Sequence, residues 1–200
     1  MALINYAKRE IICKIVYYGP GRSGKTTNLQ YIYSRLPDER KTNMISLATE
    51  MDRTLFFDFL PLDLGKIGQY TIKYQLYTVP GQVYYDSTRK LVLQGADGVV
   101  FVADSQQSRF EDNIENMDNM NENLKKNDLS LDEIPIVLQF NKRDVVDLTP
   151  IEDLSKALNL RGWDQIEAIA ISGIGVIETL KLISNKVLSS IKGKYSKKVR

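Results

Sequence analysis

The chain has 200 residues, 43% of them apolar, which is enough for one well-filled core and short for two. Histidine is absent and cysteine occurs once, at Cys13, which excludes serine-histidine and cysteine-histidine nucleophiles, histidine or multi-cysteine zinc sites and any internal disulfide. The net charge of +2 comes from the end of the chain, where Lys192, Lys194, Lys197, Lys198 and Arg200 stand without an acid; residues 1–191 alone are acidic by three charges and offer no nucleic-acid surface.

Taken in chain order, the opening MALINYAKREII contains neither an 18-residue apolar span nor a signal-peptide core. With no glycine at position two and no prenylation box at the end, the expectation is a cytoplasmic chain without a covalent anchor. IICKIVYYG (11–19) reads as a strand, and NLQYIYSRL, a few residues on, as a helix. PDERKTNMISLATEMDR (37–53) has no period, and a loop this long inside a compact domain is usually functional. LFFDFLPL (55–62) and TIKYQLYTV (71–79) suggest an antiparallel pair at a sheet edge, because Ile72, Tyr74 and Leu76 alternate with polar residues.

GVVFVAD (98–104) and IPIVLQFN (134–141) are short β-branched runs suited to buried parallel strands, and EAIAIS (167–172) is a weaker fourth. Between them, Phe110, Ile114, Met117, Asn121 and Leu124 lie at helical spacing within 108–127. Thr149-Pro150 opens a helix running to Leu158, and Val176, Leu180, Ile183, Val187 and Leu188 mark another over 175–191. The alternation predicts an α/β fold: a mostly parallel sheet with one antiparallel edge strand and helices on both faces. One domain over 1–191 is expected, followed by a flexible basic tail, 192–200, whose minority reading is weak attachment to an anionic membrane or an acidic partner.

GPGRSGKT (19–26) matches GxxxxGK[ST] and lies between the first strand and a helix, the context that a phosphate loop requires. Glycines let the backbone N–H groups curl around phosphate oxygens, and the helix N-terminus adds a favourable dipole. Gly19, Gly21, Arg22, Ser23, Gly24, Lys25, Thr26 and Thr27 are therefore the phosphate-binding candidates, with Lys25 reaching the terminal phosphates and the Thr26 hydroxyl ligating Mg²⁺. Asn141-Lys142-Arg143-Asp144 follows an apolar strand at the sheet end where nucleotides bind in open α/β folds. A carboxylate at Asp144 accepts two hydrogen bonds from guanine that adenine does not offer, so the pair of motifs points to GTP and GDP. Ser172 and Gly173 offer a hydroxyl and a backbone N–H to the same base.

These motifs together resemble those of the small Ras-like GTPases, which are P-loop NTPases with a single G domain, and within them the bacterial MglA family of motility and polarity switches. KIVYYGPGRSGKTTNLQYIY, TEMDRTLFFDFLPL, LYTVPGQVYYD, DGVVFVADSQ, NKRD and SGIGV carry the resemblance, over nearly the whole chain. It implies that Gly81 offers its N–H to the γ-phosphate, that Gln82 orients the attacking water and that Arg53 is an arginine finger supplied from within the chain. A threonine of the aperiodic loop should join Thr26 on Mg²⁺; Thr42, Thr49 and Thr54 all qualify by chemistry, and the resemblance selects Thr54. It further implies effectors of the GTP state, a Roadblock/LC7-type activating protein similar to MglB, a monomer and recruitment to a cell pole.

One position departs from the Ras-like pattern. Where Asp-x-x-Gly is usual, the chain has Thr78-Val79-Pro80-Gly81, and a neutral hydroxyl is a weaker ligand for a hard cation than a carboxylate. Asp52 and Asp58 are both able to compensate on chemistry alone. Two other readings compete: a nucleotide-dependent scaffold with negligible hydrolysis, and a small P-loop kinase, which needs an arginine-bearing lid that 104–134 does not resemble.

Overall fold

The computed structural model describes residues 2–37, 45–46, 58–81 and 85–198. Among these, the strands are β1 (Leu3–Asn5), β2 (Glu10–Tyr18), β3 (Ile45–Ser46), β4 (Asp58–Ile67), β5 (Tyr70–Thr78), β6 (Gly98–Asp104), β7 (Ile136–Asn141) and β8 (Asp164–Glu167). They form one sheet in the order β3-β4-β5-β2-β6-β7-β8, with the short β1 beside β2. The pairs β2·β5, β2·β6, β6·β7 and β7·β8 are parallel; β4 runs antiparallel to β5, as do β3 to β4 and β1 to β2.

Side chains on the central strands alternate between two helical layers, as the period of two requires. Val16, Tyr18, Val99 and Phe101 pack beneath α2 (Asp86–Leu93), α3 (Phe110–Lys125) and α4 (Ile151–Leu158). Cys13, Ile15, Tyr17, Val100 and Val102 pack on the opposite face, beneath α1 (Lys25–Arg35) and α5 (Val176–Lys198). Burial on both faces explains why β6 and β7 read as unbroken apolar runs, whereas β5 alternates buried and half-buried residues.

Two expectations need correcting. The weaker fourth strand lies earlier than EAIAIS: β8 is Asp164–Glu167, and Ile169 instead bridges Ile174 across a turn. Its exposed polar sequence, Asp-Gln-Ile-Glu, gave no strand period because it is an edge strand. Thr149 does not cap α4; Pro150 occupies the cap position, and the Thr149 hydroxyl is buried without a partner. The helix α5 extends through Lys198, beyond the 175–191 marked by the apolar spacing.

The helix α3 packs Phe110, Ile114, Met117, Met120 and Leu124 on the sheet as its spacing predicts, and buries three amides, Asn113, Asn116 and Asn123, beside them. The helix α2 was absent from the sequence reading. Its inward side includes a fully buried arginine, Arg89, which breaks the apolar pattern.

Gly98 opens β6 directly beneath α5. A Cβ there would lie 2.5 Å from Val187 Cγ2, on a β-branched side chain with little freedom to move. Gly98→Ala is therefore expected to cost about 1–3 kcal/mol of stability by overpacking. Denaturant unfolding checks this, and nucleotide affinity should be unaltered because the position is at the sheet end away from the phosphate loop.

Candidate nucleotide-binding site

Between the end of β2 and the start of α1 the chain curls back on itself, and two positions in this turn require glycine. Gly19 has φ 133° and a Cβ on it would lie 2.2 Å from the Val102 carbonyl oxygen; Gly24 has φ 98° and its Cβ would meet Asn141 Nδ2 at 2.2 Å. The helix α1 that follows has no side-chain N-cap bond and no acid in its first turn. Its first N–H groups and positive dipole end are left for an anion.

Lys25 is buried, and its ammonium donates to the carbonyls of Gly19 at 2.9 Å and Pro20 at 2.7 Å. Burial pushes its pKa down to about 7, and the nearby positive charges of Arg89 and Arg109 act in the same direction, with Asp58 opposing them. Arg109, at the end of a 3₁₀ turn after β6, donates to the Gly21 carbonyl at 3.0 Å and pairs with Asp112. The loop thus concentrates positive charge in a molecule whose body is acidic.

Asp58 stands directly beside Thr78. The antiparallel register that pairs Phe59 with Tyr77 brings Asp58, at the start of β4, beside Thr78 at the end of β5. The fully buried Asp58 carboxylate accepts from the hydroxyls of Thr26 at 2.5 Å and Thr78 at 2.9 Å, and its backbone N–H donates to Thr78 Oγ1 at 2.8 Å. A carboxylate thus stands next to the position where Asp-x-x-Gly would place one, on the neighbouring strand. The donor set of Thr26 hydroxyl and Asp58 carboxylate is hard oxygen, the type Mg²⁺ takes when phosphates and water complete its shell.

Gly81 follows β5 and lies on the phosphate loop. A Cβ on Gly81 would fall 2.2 Å from Gly21 Cα and 2.5 Å from Gly21 N, so only glycine permits this approach. The other switch candidates, Arg53, Thr54 and Gln82, lie outside the described residues, as do Thr42, Thr49 and Asp52.

At the other end of the site, Asn141 is buried and joins two loops. Its Nδ2 donates to the Ser23 carbonyl at 2.7 Å and its Oδ1 accepts from the Ala170 N–H at 2.9 Å. Lys142, with φ 65°, is held by Asp104 at 2.6 Å, while Asp144 and Ser172 are exposed. Gly173, at φ 85°, abuts Tyr31 of α1, and a Cβ would fall 1.8 Å from the ring. The Thr27 and Arg22 side chains make no hydrogen bond to another described side chain, and Ser23 Oγ is buried without a partner.

The sequence reading missed Arg89, Arg109 and Asp104. A lone acid in the apolar run LFFDFLPL was a usable sign for Asp58; the two arginines gave none, being charges on helical or turn segments that look solvated.

The model of the ADP-ribosylation factor family matches residues 2–187. The chain belongs to that family. Relatives of this ADP-ribosylation-factor-type chain include the "Mutual gliding-motility protein MglA" of Myxococcus xanthus (strain DK1622), 55% identical over 192 residues that span 96% of this chain and 98% of that protein. Two proteins named ADP-ribosylation factor-like protein 6 are each 22% identical: that of Caenorhabditis elegans over 93% of this chain and 91% of its own, and that of Caenorhabditis briggsae over 92% and 90%. This family member is an MglA-type small GTPase, a guanine-nucleotide switch. No described helix is long and apolar enough to cross a membrane.

A buried ammonium facing only carbonyls is costly until an anion arrives. Lys25→Met should therefore weaken GTP binding on the order of 100-fold, as loss of charged hydrogen bonds predicts. The same variant should leave the melting temperature of the nucleotide-free protein equal or higher. Titration calorimetry and thermal unfolding measure the two effects.

Proposed function

We propose that this small GTPase controls cell polarity and surface motility by hydrolysing GTP slowly on its own and faster with a Roadblock/LC7-type activating protein similar to MglB. The role follows the printed name of the Myxococcus relative, and the GTP state would be read by effectors. The protein would act as a cytoplasmic monomer recruited to a cell pole.

The observation that carries the hydrolytic reading is the Asp58 carboxylate lying on the Thr26 and Thr78 hydroxyls. It supports a site that can be completed despite the missing Asp-x-x-Gly acid. Thr26, Asp58 and Thr54 would hold Mg²⁺, which when bound neutralises charge on the β- and γ-phosphate oxygens.

The chain's own groups then divide the work. Loop amides from Gly19 to Thr27 and the Lys25 ammonium cradle the phosphates and absorb charge as the γ-phosphoryl group leaves. Gln82 orients water in line with that group, and Arg53 stabilises the developing charge. Gly81 and Thr54 hold their segments to the γ-phosphate and release them once it is lost. Asn141, Lys142, Asp144, Ser172 and Gly173 take the base, with Asp144 accepting from guanine.

The kinase alternative is not favoured, since residues 107–125 form a 3₁₀ turn and α3 packed on the sheet rather than a lid. Against the scaffold alternative stands the placement of Asp58.

Asp58→Asn should weaken Mg²⁺-dependent GTP binding by about tenfold or more, the worth of a charged ligand or hydrogen bond. Adding Thr78→Asp to that variant should recover much of the loss by returning a carboxylate to the same point from β5; titration in Mg²⁺ and in chelator checks both. Gln82→Leu should retain GTP binding yet lose partner-stimulated turnover by a factor on the order of 10³ or more. Single-turnover phosphate release with a Roadblock protein measures this, and a normal stimulated rate would remove the role given to Gln82.

A further inference from the structure

Arg89 has no place in the reading above, yet it is among the most completely buried side chains in the described residues. It projects from α2 with no described carboxylate in ion-pair contact. Its guanidinium is satisfied by neutral oxygens on two sides. Toward the site, Nε donates to the Pro80 carbonyl at 2.9 Å and Nη2 to the Gly81 carbonyl at 2.6 Å. Toward α3, Nη1 donates to Asn119 Oδ1 and Nη2 to Asn116 Oδ1, each at 2.8 Å.

The geometry of a planar peptide gives these bonds a directional consequence. In a trans peptide the carbonyl and the following N–H point opposite ways, so gripping the Pro80 oxygen fixes the heading of the Gly81 N–H. Gripping the Gly81 oxygen as well holds the far side of the same residue. The guanidinium fork is rigid and flat, and a lysine in its place has one nitrogen for four acceptors.

The far side of the clamp is anchored in the amide row of α3. Asn119 also accepts from the Tyr18 hydroxyl and donates to Asp86 at 2.9 Å; Asn123 donates to Asp86, and Lys126 pairs with Asp86 at 3.1 Å. These bonds hold the Asp86 carboxyl at about 2, with Asn123 the largest cause. A polar interface of this kind between α2 and α3 specifies orientation where an apolar one would permit sliding.

We infer that Arg89 is a positioning residue for γ-phosphate recognition: it clamps Pro80 and Gly81 from behind so that the Gly81 N–H is held toward the phosphate loop, and it ties that segment to α3 through Asn116 and Asn119. The inference rests on the GTP-switch reading. GDP has no group for Gly81 to meet, so a defect in the clamp falls on the triphosphate alone. A residue that merely fills the core would affect both nucleotides alike.

The test compares the affinities of full-length wild-type and variant protein for a non-hydrolysable GTP analogue and for GDP, in Mg²⁺, by titration calorimetry. Arg89→Lys should weaken the analogue about tenfold, the worth of one or two charged hydrogen bonds, with GDP held within about twofold. Asn116→Ala leaves Arg89 in place but removes one of its anchors; it should lower analogue affinity about threefold, again sparing GDP, and stands in should Arg89→Lys fail to fold. Asn127→Ala, which breaks a bond to the Lys90 carbonyl at 2.9 Å in the same interface, should leave the ratio of the two affinities unchanged. Equal losses for both nucleotides, or an unchanged ratio in Arg89→Lys and Asn116→Ala, would overturn the inference while leaving the switch reading intact. A wild-type protein that bound neither nucleotide would overturn both.

Discussion

Lys25 keeps its ammonium buried between the carbonyls of Gly19 and Pro20, and the rest of the site is arranged around this cation. The uncapped start of α1, the left-handed glycines and the charges of Arg89 and Arg109 all raise the positive potential at one loop. Outside the basic end, the chain is acidic, so this concentration is local and does not make a general polyanion surface. The cost of assembling it is borne by the packed sheet, whose β2 and β6 are buried on both faces. A polyphosphate converts that cost into affinity.

In the same site a buried carboxylate stands on the strand beside the one where Asp-x-x-Gly would carry it. The last residue of β5 and the first of the antiparallel β4 are neighbours, and from β4 the Asp58 carboxylate reaches the Thr26 hydroxyl. Thr78 then changes role. It becomes a hydroxyl that both receives a hydrogen bond from Asp58 N–H and gives one to the Asp58 carboxylate, fixing the acid's position. This arrangement also ties Thr26 of the phosphate loop to the pairing of β4 with β5.

Much of this was legible in the sequence because it depends on local pattern. The strands at 98–104 and 136–141 declared themselves by β-branched runs, and the phosphate loop by glycine and lysine spacing. What was not legible depends on pairing across distance. That Asp58 lies beside Thr78 and the Thr26 hydroxyl follows from the register of β4 on β5, which no local period encodes. The helix α2 was hidden because its inward side carries Arg89, and the buried amides of α3 find their partners on α2 and β6, at a distance that no local period encodes. Asp164–Glu167 was passed over because an exposed edge strand has no apolar face to show.

The central claim is that the loop between β2 and α1, with Asp58 and Asp144 at either end of the site, takes a guanosine polyphosphate. The most direct measurement is calorimetric titration of nucleotide-stripped protein with GTP, GDP and ATP in Mg²⁺. The account predicts dissociation constants of about micromolar or tighter for both guanine nucleotides and binding of ATP about 100-fold weaker or more. No heat with GTP and GDP, or ATP bound as tightly as GTP, would contradict it.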